Sequence, residues 1–156
     1  PLVLARPTTV LWLPELSEDA VLAAMKAGRG YVTESPTGPS LVMTVDGEPM
    51  GSTVTNPRSL RIEASGAKGD RVVLIDAMGE VAVLPITADD WQHDVTMPGA
   101  RGFIRAEIVA DASRERLAAE FLLLLEGREL PWQLRGINLA DQAIRRALGN
   151  PIYTGS

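Results

Sequence analysis

The chain has 156 residues, 46% of them hydrophobic and 22% charged, with a formal charge of −5. That is enough for one domain with a real core and short for two, and the acidic balance argues against a nucleic-acid or anionic-membrane partner. The absence of cysteine removes disulfides, thiolate metal sites and cysteine nucleophiles, and leaves the compartment open.

Residues 1–16 read as an extended lead-in. Pro7 and Pro14 bracket T-T-V-L-W-L, a β-branched and apolar run suited to an edge strand. The next stretch, Ser17 to Gly51, is the best punctuated in the chain. Ser17 is a good N-cap, and Glu18 and Asp19 follow where the helix dipole favours negative charge. Ala20, Val21, Ala24 and Met25 recur at helical spacing, Lys26 sits near the end, and Gly28 is a natural stop. A helix is expected over 18–27. From Tyr31 the period becomes that of strands: Y-V-T-E-S and S-L-V-M-T-V, separated by P-T-G-P. Asp46-Gly47 is a tight-turn dipeptide. Further strands are expected at 60–64, 71–76, 80–86 and 102–110, where Leu60, Ile62 and Ala64 alternate with Arg61 and Glu63.

This spacing predicts a mainly β fold: an antiparallel sandwich, immunoglobulin-like in type, with its helix and core in 17–111. Residues 112–149 read as a helical segment. Ser113 caps a helix stopped by Gly127, and a second helix is expected from Leu139 to Leu148, ended by Gly149 and Asn150-Pro151. Residues 150–156 form an extended tail, and the whole of 1–156 is one domain. The apolar run Phe121 to Leu125 is far below the roughly 20 residues of a membrane span. No signal-peptide pattern opens the chain, so localisation stays open.

Candidate chemistry is sparse, and no catalytic residue or metal ligand is assigned. D-D-W-Q-H-D at 89–94 is the one dense polar cluster, with His93, Asp89, Asp90 and Asp94 as conceivable ligands. Zinc and related metals want three or four fixed ligands, often more than one of them histidine. A solvated inter-strand loop with Trp91 tucked against the sandwich is the plainer reading. Gly28-Arg29-Gly30 closes a helix, whereas a phosphate cradle opens one. Arg29 stays a candidate for a partner's or substrate's anionic group. A Ser-His-Asp triad would have to use the single histidine, and no G-x-S-x-G elbow exists.

One resemblance supplies a reaction where the residues do not. The helix ending in A-G-R, then Y-V-T, P-x-x-P-S-L and D-G-E-P-M-G, resembles the region after the catalytic domain in bacterial PHP-type metal-dependent hydrolases. The branch is the one named after CehA and McbA. R-A-E-I at Arg105–Ile108 and A-L-G-N-P-I-Y at Ala147–Tyr153 resemble that family's closing strand and near-terminal signature. In the family the metal cluster lies in an N-terminal PHP domain. The resemblance therefore implies that this chain is the accessory sandwich, severed from that domain or associated with it as a separate chain. The implied cofactor, a divalent metal, belongs to the catalytic domain and none to this chain. Arg29, Asn150 and Tyr153 are its candidate substrate- or partner-binding residues. Oligomerisation is left open. Two other readings remain: a standalone sandwich that binds a protein or carbohydrate, and an independent hydrolase built on His93.

Overall fold

Alternation of apolar and polar residues at period two makes most of the described residues fold as strands, because each strand can then bury one face and wet the other. The computed structural model describes residues 7–97, 102–111 and 145–155. In chain order these form β1 (Thr8–Leu11), α1 (Glu18–Ala27), β2 (Gly30–Thr33), β3 (Ser40–Val45), β4 (Glu48–Pro49), β5 (Thr53–Thr55) and β6 (Ser59–Ser65). There follow β7 (Arg71–Asp76), β8 (Gly79–Pro85), β9 (Asp90–Thr96), β10 (Gly102–Val109), β11 (Arg145–Gly149) and β12 (Ile152–Gly155).

The strands make two sheets. One has four strands in the order β4-β3-β6-β9. The other has eight, and β10 is its hub. Along one edge β10 pairs with β7, which carries β8. Along the other, Glu107 to Val109 pair with β11 and Gly102 to Ile104 pair with β12. β11 continues to β2 and β1, whereas β12 continues to β5. The β12–β5 pair is parallel, a departure from the expected all-antiparallel arrangement. The core lies between the sheets, with Leu41, Met43, Leu60 and Ile62 facing Val72, Leu74, Ile104 and Ile108, all buried.

Local chemistry sets the turns and the helix. Ser17 is extended and its Oγ accepts the Ala20 N–H at 3.2 Å, which satisfies one of the free donors at the helix start. At the other end Gly28 is left-handed, with φ 69°. Its N–H donates to Met25 O at 3.1 Å and the Arg29 N–H donates to Ala24 O at 2.9 Å, the paired bonds of a Schellman stop. Asp46 and Gly47 both take positive φ, as a two-residue hairpin between β3 and β4 demands.

Three expectations are corrected. Over Arg145–Leu148, the described part of the helix expected at Leu139–Leu148, the chain is a strand instead, since Arg145–Gly149 is hydrogen-bonded between β10 and β2. Asp90–Asp94 of the 89–94 cluster belong to the edge strand β9 and not to a loop, and all seven residues of β9 are in register with β6. Met25 is exposed rather than part of the helix's buried face, where Ala24 alone is fully buried. The helix read at 113–127 lies outside the described residues, so α1 is the one helix among those described. None of the described helices is long and apolar enough to cross a membrane.

Candidate functional site

Two of the three candidate residues meet at one junction. β11 and β12 run along the same edge of β10 but diverge at Asn150-Pro151, one toward β2 and the other toward β5. At this bend Asn150 Nδ2 donates to the Gly28 carbonyl at 3.1 Å, and the Gly51 N–H donates to the Pro151 carbonyl at 3.0 Å. The turn after β4 comes so close that a side chain at Gly51 would overlap the Ala27 carbonyl oxygen. Helix stop, turn and strand bend are thereby locked together, and Arg29 is held exposed beside them. Asn150 is half-buried and works as a structural tie.

Tyr153 lies further along β12. Its N–H donates to Ser52 O at 2.9 Å, and its Cα partners are Phe103 and Thr53. It is exposed, on the face of the eight-stranded sheet turned away from the core. Val32 and Leu148, direct cross-strand partners, share that face and are also exposed.

The charges that matter structurally were missed in the sequence. Glu107 sits on the outer face of β10 with its side chain only 4% exposed. Arg105 Nη2 reaches its Oε1 at 3.0 Å and Arg145 Nε its Oε2 at 2.7 Å. Arg105 Nε is itself buried without a hydrogen-bond partner. A bulge where β10 meets β11 turns the next residue, Arg146, another way. Its guanidinium bonds Glu34 Oε1 through Nε and Nη2, at 3.1 and 2.7 Å, and Asp70 Oδ2 through Nη1. The Glu34 bonds, ahead of the Asp70 bond, hold Arg146 protonated well beyond its ordinary range, against the opposing effect of burial. These clusters clasp β11 to β2, β10 and the turn before β7. A glutamate inside the apolar run I-R-A-E-I-V was the sequence signal for the first of them.

Period two also decides the fate of the polar cluster. Trp91 and His93 fall on one face of β9, and Asp90, Gln92 and Asp94 on the other. His93 stacks on Trp91, with ring centroids 5.6 Å apart and planes 6° apart. Asp94 is held by Arg61 in a two-point ion pair, which lowers the pKa of the carboxyl and raises that of the arginine. Histidine and carboxylates are therefore not brought to one point. No group of three or more His, Asp or Glu among the described residues is placed to hold a metal.

Among the described residues a cavity of about 430 Å³ opens at one mouth of the sandwich. Leu60, Leu74, Val95, Met97, Phe103 and Ile104 make its apolar wall, and Asp76, Glu80 and Thr154 its polar side. Asp76 there closes the β7–β8 turn by accepting the Met78 N–H at 2.7 Å. The volume suits a small ligand. No protein-family model, curated protein or solved structure matches the chain.

Proposed function

We propose that this chain is the non-catalytic accessory sandwich, immunoglobulin-like in type, of a PHP-type metal-dependent hydrolase or phosphoesterase. It packs beside a metal site supplied by another part of the same protein or by a separate chain. The observation that carries this reading is the set of apolar side chains exposed on the outer face of the eight-stranded sheet, beside the Arg105–Glu107–Arg145 cluster. Exposed sheet faces are ordinarily polar, yet Val32 and Leu148 stand side by side there and Tyr153 lies further along the same face. The locked junction beside them presents Arg29 to anything that docks. In this role the chain supplies a surface, while water activation by the divalent metal belongs to the catalytic domain.

The cheapest test is the reading frame upstream of Pro1, combined with intact mass. Upstream coding sequence rich in His and Asp, with an H-x-H pair, is the expected result. An upstream stop codon, with no His-rich partner chain, removes the reading. The cavity favours a second reading, a standalone module that binds a ligand. It expects ligand-dependent NMR shifts at Val95, Met97 and Phe103 in the isolated chain. A panel of glycans and peptides that moves none of them eliminates it.

A further inference from the structure

On α1, Ala24 is buried and Ala20, Val21 and Ala27 are half-buried, which marks the side turned toward the sheet. With about 100° between successive residues, the opposite side carries Glu18, Leu22 and Lys26 in one line, flanked by Asp19 and Met25. Leu22 is 57% and Met25 61% exposed, and Leu16, just before the helix, is 92% exposed. Along this face the order is acidic, apolar, basic. The helix dipole accounts for acids at the start and a base at the end of a solvated helix. It does not account for two large apolar side chains left in water between them.

We propose that this face is a homodimer interface, in which α1 packs antiparallel on α1 of a second copy across a two-fold axis at Leu22. A two-fold contact is isologous: if one residue meets another, the converse pair forms as well. With Leu22 on the axis, Glu18 meets the second copy's Lys26 and Lys26 meets its Glu18. Leu22 packs on Leu22, with Met25 beside it. A parallel copy would set like charge on like charge, and a partner of uniform charge would satisfy one end only. The face therefore fits its own antiparallel copy. A helix of 10 residues is about 15 Å long, so the contact falls below a standard interface and its dissociation constant is on the order of 10–100 µM.

The test is sedimentation velocity on the intact chain from about 5 to 500 µM, a range that brackets such an affinity. The wild-type chain is expected to shift from monomer to dimer over this range, and less so in about 0.5 M salt, which screens exposed pairs. Glu18→Lys and Lys26→Glu chains are each expected to associate at least tenfold more weakly, because both ion pairs become repulsive. An equimolar mixture of the two is expected to recover the dimer, since every altered end then meets opposite charge. Leu22→Asp is expected to abolish association. All of these positions are exposed, and unchanged far-UV circular dichroism checks that the variants fold. A monomer at every concentration, a dimer that survives Leu22→Asp, or a mixture no tighter than its components would each overturn the proposal. The interface uses none of Val32, Leu148 or Tyr153, so its failure and that of the accessory-domain reading are separable.

Discussion

Gly51 and Gly47 offer a controlled comparison, because both hold φ at +86° and only one is crowded. Around Gly47 an added Cβ meets nothing within 4 Å. Gly47→Ala therefore reports the left-handed backbone cost alone, about 1–2 kcal/mol. At Gly51 the same methyl would overlap the Ala27 carbonyl oxygen and lie 2.8 Å from the Gly28 carbonyl carbon, both rigid backbone. The turn must move off the helix stop, which weakens the Gly51–Pro151 and Asn150–Gly28 hydrogen bonds, each worth about 1 kcal/mol. Gly51→Ala is thus expected to cost about 3–4 kcal/mol in all. For a domain of this size that lowers Tm by roughly 6–16 °C, against roughly 2–8 °C for Gly47→Ala. Urea unfolding followed by tryptophan fluorescence gives both free energies. Values within about 0.5 kcal/mol of each other would refute the account of the junction as a close-packed lock.

Three further outcomes follow from the same geometry. Ile62 is fully buried between the sheets, so Ile62→Ala is expected to cost about 2–5 kcal/mol in the same urea assay. Arg146→Met leaves Glu34 and the nearly buried Asp70 without its guanidinium. A loss of about 3 kcal/mol is expected at neutral pH, and Arg146→Lys should recover only part of it because one ammonium cannot reproduce the fork. The Asp46 carboxylate accepts the Ser59 N–H at 2.9 Å, the Ser59 hydroxyl at 3.0 Å and the Arg58 N–H at 3.1 Å. Chiefly through the Ser59 N–H, these bonds hold its pKa below the ordinary aspartate value. Its contribution is therefore present above the unfolded pKa, near 4, and is lost as pH falls through the lower folded value. Stability curves of wild type and Asp46→Asn should converge in that acid window; a constant gap down to the lowest pH measured would contradict this.

Much of the fold was legible where local chemistry suffices. Ser17, Glu18, Asp19 and Gly28 mark both ends of α1 because caps and dipole effects act within one turn. Asp46-Gly47 marks its hairpin because only certain residues accept positive φ. The failures occur where long-range pairing decides. Around Arg145–Gly149, A-I-R-R-A-L is a good helix sequence by propensity, yet two neighbouring strands take up its backbone groups, and sheet pairing overrides a weak local preference. β9 looked like a loop because Asp90, Gln92, His93 and Asp94 are polar. As an edge strand it needs only Trp91, with help from Val95, on its inner side, and that spacing of four was the available clue.

For the candidate site the division is sharper. Sequence picked out Asn150 and the glycines of 28–30, but could not place them in contact, because 122 residues separate Asn150 from Gly28. Nor could it show that Glu107 is buried between arginines, which depends on a bulge between β10 and β11. By itself the sequence determined the class of the fold, the limits of α1 and the hairpin turns, since those follow from side-chain period and backbone preference over a few residues. Only the tertiary structure decided which strands share a sheet, where β11 and β12 part at Asn150-Pro151, and that Leu22 and Met25 face water. Burial and hydrogen-bond pairing are properties of segments distant in the chain, and no local pattern encodes which of them will meet.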